Sequence, residues 1–247
     1  LAVLVLFMTR TLNLGAAAGE NLTVTGSATI GANATIAAGA RTLTFNGTEA
    51  AVDNDGAITA TTGTVVLTNG VSNADAGDFT MSNGTLSVGG TSADFTNAGC
   101  ALTFGASGTL DFIGSGAQTP AFNGDDTLQN LSLNKGALAN LVTLDATAVP
   151  GTVTVTTGTL RTNATRSFPG AITVGANGEL GSTTNSITVT FGSTLSITGD
   201  LVFNASGQTL RFASGAGGQT TINNGGTFQM TGGGGGNRIR LEQDGTS

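Results

Sequence analysis

The amino-acid sequence predicts an all-β chain wound as a parallel β-helix, a β-solenoid of roughly 12 irregular coils at about 20 residues each. Three observations carry that expectation. Apolar and hydroxyl side chains alternate with period 2 from end to end, the runs break at short glycine-rich corners, and one four-residue kernel keeps returning. Period 2 marks an extended strand whose successive side chains point to opposite faces, and breaks of a few residues leave room only for tight corners.

Composition agrees. Charged residues make up 9% of the 247, polar positions are filled by Thr, Ser and Asn with 40 Gly between them, and Lys occurs once, at Lys135. A helical domain would place Glu, Lys, Gln and Arg on its exposed faces, whereas hydroxyls, amides and glycine suit strands and turns. Disordered chains combine low hydrophobicity with high net charge or many prolines; this one has a positive mean hydropathy and three prolines. The net charge of −7 comes from scattered acids, without the basic patch or aromatic platforms expected of a nucleic-acid partner. With Cys100 the single cysteine, no internal disulfide forms.

The chain begins LAVLVLFM, Leu1 to Met8. As a strand this puts Val3, Val5 and Phe7 on one face and Leu4 and Leu6 on the other, so both faces are apolar. Eight residues fall far short of the roughly 20 that span a bilayer, so no membrane span is expected. A secretion signal carries a basic residue before its apolar run, and Arg10 comes after this one, although Gly15 to Gly19 has the small residues of a cleavage region. Left in water the strand would be an aggregation site. The expectation is that it lies against a neighbouring copy; an end cap on its own solenoid and a truncated signal are the alternatives. Residues 1–20 are thus read as an apolar strand with a small-residue linker, 21–231 as the solenoid, and 232–247 as a glycine-rich turn followed by a charged strand.

From Asn21 the strands follow one another: NLTVTG (21–26), RTLTFNG (41–47), TVVLTNG (64–70), GTLSVGG (84–90), ALTFGASGTLDFIG (101–114), TVTVTTGTLRT (152–162) and QTLRFASG (208–215). In SITVTFGSTLSITGDLVF, Ser186 to Phe203, the inward set is Ile187, Val189, Phe191, Leu195, Ile197, Leu201 and Phe203. The kernel, Thr-Leu-x-Phe/Val/Ile, stands at Thr42–Phe45, Thr85–Val88, Thr109–Phe112, Thr194–Ile197 and Thr209–Phe212, at irregular spacings. A solenoid explains it: inward Leu, Ile, Val and Phe stack into a continuous core, outward Thr, Ser and Asn form ladders, and Gly takes the corners. Tandem immunoglobulin-like sandwiches would carry a core Trp or a corner Tyr, and both residues are absent. A propeller would repeat every 40–45 residues; the Leu43 to Leu86 interval fits that period and the later intervals do not.

The stretch Gly116 to Asn163 contains Gly-x-Gln-Thr, then Leu128-Gln129-Asn130-Leu131-Ser132-Leu133-Asn134, Val142-Thr143-Leu144 and Gly158-Thr159-Leu160, with a partial second copy at Gly207-Gln208-Thr209-Leu210. These elements resemble the repeats of secreted bacterial β-solenoid surface proteins, the filamentous-haemagglutinin and autotransporter-passenger adhesins. The resemblance implies an exported, elongated structural or adhesive role and supplies no catalytic residues.

Parallel β-helices also serve polysaccharide lyases and hydrolases, whose sites gather acids with Lys, Arg or His. The acidic pairs here, DNDG (Asp53 to Gly56), DAGD (Asp75 to Asp78) and GDD (Gly124 to Asp126), all sit in Gly- and Asn-rich corners where Asp stabilises turns. Asp53, Asp55, Asp125 and Asp126 are the weak calcium candidates, without an EF-hand loop or a Gly-Gly-x-Gly-x-Asp repeat to support them. No His-based triad or ordinary transition-metal site can be assembled without histidine. Cys100 reads as a small buried hydrophobe. Sequons begin at Asn21, Asn33, Asn46, Asn83, Asn130, Asn163 and Asn204, which suits a glycosylated exterior.

The chain closes with the five-glycine run Gly232 to Gly236 and then an alternating strand, Ile239 and Leu241 on one face, Arg238, Arg240 and Glu242 on the other. Charge on a terminal strand discourages stray edge pairing or selects a partner edge. The expected role is therefore extracellular and non-enzymatic, with no cofactor: a filament or surface layer built head to tail through Leu1, Val3, Leu4, Val5, Leu6 and Phe7, aided by Arg238, Arg240 and Glu242. The alternative is an adhesive segment of a larger surface protein that binds host or biofilm polymer, a polysaccharide or glycan, along its flank.

Overall fold

The computed structural model describes residues 1–6, 10–15, 21–48, 52–71, 77–95, 100–122, 128–144, 150–213, 219–230 and 240–244, the last of these as backbone. All regular structure among them is strand, and every pairing is parallel. The fold is a parallel β-solenoid, as the alternation predicts. Facing antiparallel sheets and propeller blades are excluded by the strand direction alone. The chain divides into two units, Leu1–Gln129 and Asn130–Ser247; the expected boundaries at residues 20 and 231 both fall outside the described residues.

In the first unit the strands form three faces. The first stacks Leu22–Val24, Thr42–Phe45, Thr64–Leu67, Thr85–Val88 and Thr109–Ile113. The second carries Leu4–Leu6, Ala28–Ile30 and Val52–Asn54, and later Asp94–Phe95 with Ala121–Phe122. The third stacks Thr11–Asn13, Thr35–Gly39, Ala57–Ala60, Asp78–Met81 and Leu102–Phe104. The chain visits the faces in that order and returns to the first one turn further on.

The second unit repeats the plan. Its first face stacks Asn130–Asn134, the opening halves of Thr152–Thr162 and Ile172–Ser182, then Leu195–Ile197 and Thr220–Ile222. Its second carries Leu141–Leu144, the closing halves of the two long strands, Asp200–Phe203 and Thr227–Met230. Its third carries Arg166–Phe168, Thr188–Phe191, Thr209–Ala213 and Arg240–Asp244.

Paired strands on the first faces lie between 19 residues apart (Val153 to Ile172) and 25 apart (Leu195 to Thr220). Most turns thus consume slightly more chain than the expected 20 residues, because three strands and three corners must fit, and the coil count accordingly comes out below the expected 12. The interval from Leu43 to Leu86 is two turns with Val65 between them.

The inward columns are those the alternation assigns. Leu43, Val65, Leu86 and Leu110 stack on the first unit's first face, and Val153, Ile172 and Leu195 on the second unit's, all buried. Burial of each such side chain contributes roughly 1.5–3 kcal/mol. Aromatics stack the same way. The Phe191 ring centroid lies 6.2 Å from Phe168 and 5.3 Å from Phe212 on the neighbouring turns, with Phe203 edge-on at 6.5 Å. Outward, Thr42, Thr64, Thr85 and Thr109 form one ladder, and Ser132, Thr154, Thr173, Ser196 and Thr221 another.

Glycine makes the corner inside Thr152–Thr162. Gly158 has φ +102°, a region that L side chains avoid, and a Cβ there would crowd Lys135 Cβ at 2.8 Å. Its partner in register is Gly178, whose carbonyl in turn lies against Gly199. A column of small residues lets the backbone turn at the same place on successive coils.

The core stack yields a direct test. Phe191→Ala removes a ring buried between two turns and is expected to cost about 3–5 kcal/mol in urea unfolding, whereas Thr173→Ala, on the exposed ladder, should change stability by no more than about 0.5 kcal/mol.

Candidate functional site: the open first rung and the buried polar corners

The apolar opening segment is the first rung of the solenoid. The Leu1 α-ammonium donates to Thr23 O at 2.8 Å, the Thr25 N–H donates to Leu1 O at 2.7 Å, and Leu4 N–H donates to Ser27 O at 2.9 Å. Leu4–Leu6 then pairs with Ala28–Ile30. Gly26 permits this approach, since a Cβ there would collide with the Ala2 carbonyl. The rung is bonded on one edge, and among the described strands nothing pairs with the other. Leu4 and Leu6 point inward and are half-buried, but Leu1, Val3 and Val5 remain 59%, 56% and 51% exposed. Phe7 lies outside the described residues.

In the second unit Thr220–Ile222 and Thr227–Met230 are also paired on one edge only among the described strands. Ile222 occupies the inward column of Ile197 yet is 47% exposed, and among the described strands none stacks beyond it. The strand Arg240–Asp244 pairs with Thr209–Ala213 through its backbone, so Arg240 and Glu242 stand on a last-turn strand as the alternation suggested; Arg238 and the five-glycine run lie outside the described residues.

The acidic corners do not converge. Asp53 and Asp55 are exposed while Asn54 between them is fully buried, so alternation sends the carboxylates and the amide to opposite sides. Among the described residues no three acids, cysteines or histidines gather as metal ligands. Asp78 is exposed and its Oδ1 accepts the Ala101 N–H at 3.0 Å, a turn-stabilising bond. Asp75, Asp125 and Asp126 lie outside the described residues. Six of the seven sequon asparagines are exposed; Asn130 is half-buried, its Oδ1 accepting from Thr152 Oγ1 at 2.5 Å. Cys100 is buried. No helix among the described residues is long and apolar enough to cross a membrane.

Three buried or half-buried polar features were not assigned a role from sequence. The first is the glutamine of the Gly-x-Gln-Thr element. Gln118 donates to Gly89 O at 2.8 Å and Val88 O at 3.4 Å, and Gln208 donates to Thr184 O at 2.9 Å and Ser182 O at 3.2 Å while accepting the Ala205 N–H. Each amide satisfies corner carbonyls of the preceding turn that are shut away from water. The repetition of the element was visible in the sequence, and this is its physical basis. The second is Arg161, which pairs with Glu179 one turn on and donates to Val202 O at 3.4 Å a further turn on. It tempers the repulsion between Glu179 and Asp200, which sit side by side in register.

The third is Lys135, the single lysine, fully buried at the corner after Asn130–Asn134. Its N–H donates to Thr157 O at 3.0 Å, and Asn140 Nδ2 caps its carbonyl at 2.5 Å. Burial lowers the ammonium pKa below its usual 10.5, because the charged form loses its hydration.

No protein-family model, curated protein or solved structure matches this chain. What it does must therefore be argued from its geometry and its sequence.

Two measurements test the corners. Gln208→Leu removes the amide donor to the Ser182 and Thr184 carbonyls and the acceptor of the Ala205 N–H and should destabilise the chain by about 1–3 kcal/mol, read from the urea midpoint at unchanged slope. For Lys135 the sign follows from linkage. The folded pKa lies below 10.5, so between the folded value and 10.5 the unfolded chain holds more protons and stability rises with pH. The stability of Lys135→Met minus that of the parent should accordingly fall as pH climbs toward 10.5; a difference flat in pH would contradict the burial of a chargeable amine.

Proposed function

We propose that the chain is an exported structural β-solenoid that associates with copies of itself into an extracellular filament or surface layer, using its apolar first rung and the solenoid ends. The observation that carries this reading is the exposure of Leu1, Val3 and Val5 in and beside the strand Leu4–Leu6, which pairs on one edge only among the described strands. An apolar strand edge in water recruits another strand, and addition to a sheet edge is a general mode of recognition. A contact between unlike ends propagates unless it closes on itself. The resemblance of Gly116 to Asn163 to secreted solenoid adhesins supports export. This reading assigns the chain no catalysis, cofactor or metal.

A second reading is favoured by a different observation. The outward column Ser132, Thr154, Thr173, Ser196 and Thr221 sets one hydroxyl per turn over five strands, a surface suited to a neutral glycan. On this reading the chain is an adhesive segment of a larger cell-surface protein, and its flank holds host or biofilm polymer.

Negative-stain microscopy separates the two. The intact chain should form fibres, and a chain lacking residues 1–14, which has lost the first rung, should not. Monodisperse particles from both would favour the adhesive segment.

A further inference from the structure

We propose that Asn224 is a site of spontaneous covalent modification. Its side-chain amide is displaced by the backbone nitrogen of Gly225, and the succinimide so formed opens to aspartate or isoaspartate.

Six asparagines precede a glycine: Asn46, Asn69, Asn83, Asn123, Asn177 and Asn224. A glycine has no side chain to hinder the approach of its nitrogen to the preceding Cγ, so these six are the candidates for the reaction. Asn123 lies outside the described residues. The fold separates the other five.

Register singles out one corner. Ile222 stands over Ile197 and Thr227 over Asp200. Between the lower pair the chain spends two residues, Thr198 and Gly199; between the upper pair it spends four, 223–226. The flanks of the longer corner are tied down. Asn223 N–H donates to Ile197 O at 2.7 Å, Asn223 Nδ2 to Ser196 Oγ at 3.0 Å, and Thr227 N–H to Gly199 O at 2.9 Å. Gly226 N–H donates to Asn223 O at 2.9 Å and closes a tight turn, in which Gly225, at φ +93°, takes the position of a type II turn that favours glycine. The surplus pair Asn224 and Gly225 is pushed outward, with no counterpart on the turn beneath. Both residues are exposed, and among the described residues neither their N–H groups nor the Asn224 side chain has a hydrogen-bond partner.

The other pairs are held. Asn69, Asn83 and Asn177 are exposed, but the glycine after each is buried. Asn69 Nδ2 donates to Gly47 O at 2.6 Å, and Gly70 N–H donates to Leu67 O at 3.3 Å. Gly84 lies so close to Gly63 that a Cβ would stand 2.5 Å from its carbonyl oxygen, and Gly178 is set within the strand Ile172–Ser182. A buried nitrogen on a fixed backbone reaches the preceding side chain only after local unfolding. Asn46 falls between the two cases, because Gly47 is half-buried and its carbonyl is held by Asn69.

The chemistry needs water alone. The Gly225 nitrogen attacks Asn224 Cγ, the new C–N bond closes a five-membered ring, and the side-chain nitrogen leaves as ammonia with the proton the backbone nitrogen gave up. Water then adds to either ring carbonyl. One opening gives aspartate; the other gives isoaspartate, whose backbone runs through the former side-chain methylene and is one atom longer. Either product brings a carboxylate to a corner whose four residues carry no charge.

Ageing the folded chain in mildly alkaline buffer, followed by peptide mapping with mass detection, tests the assignment. The peptide containing Asn224 should gain one mass unit and split into two products. Its rate should exceed that of Asn69, Asn83 or Asn177 by at least about tenfold, since a local opening that costs even about 1.4 kcal/mol slows a site by that factor. Asn224→Ser should abolish the change in that peptide, and the parent chain held in concentrated urea should convert all four sites at comparable rates. An Asn224 that stays unconverted, or buried-glycine sites that keep pace with it in the folded chain, would overturn the proposal. So would the same ranking in urea, which would assign the selectivity to local sequence and not to the corner.

Discussion

The structure depends on one constraint: all strands run the same way and meet in register, so that each inward side chain stands on the inward side chain of the turn before. Because side chains alternate along a strand, a slip of one residue would move an entire inward set to the solvent side. The stacks of Leu43, Val65, Leu86 and Leu110 and of Phe168, Phe191 and Phe212 are what a slip would dismantle. The hydroxyl ladders follow from the same register without being its cause. They let a chain with few charges present a polar exterior.

Most of this was legible because alternation is local. Leu195 and Ile197, assigned inward from their phase alone, are buried, and so is every leucine of the kernel. The irregular spacing of the kernel was legible as a fact and not as a cause. Its copies at Leu43, Leu86 and Leu110 share one face, but Leu210 stands on a different face from Leu195. A four-residue pattern says that a strand has an inside and an outside; it does not say which of three faces the strand joins. The coil count suffered for the same reason, since the length of a turn is set by how corners fit on the turn beneath.

The buried polar groups mark the other limit. Lys135 precedes a glycine in what reads as a turn, where lysine is ordinarily solvated, and its burial comes from residues about 22 positions on, such as Thr157 and Gly158. Gln118 and Gln208 likewise serve carbonyls of the preceding turn. Interactions across turns escape any window of sequence read by itself. The acid corner at Asp53 to Asp55 is the instructive contrast: alternation alone indicates that its two carboxylates and its amide diverge, and they do.

The ladder also governs how such a chain acquires its shape in time. Every strand answers only to the turns before and after it, so folding can nucleate in any well-packed turn and proceed outward by accretion, with stability accumulating step by step. Turns flanked on both sides are held by two such steps and terminal ones by a single step. The strand Thr220–Ile222, exposed along its whole length, is then the last to dock and the first to fray, and its amides would exchange with solvent while those near Ile172 and Leu195 stayed protected.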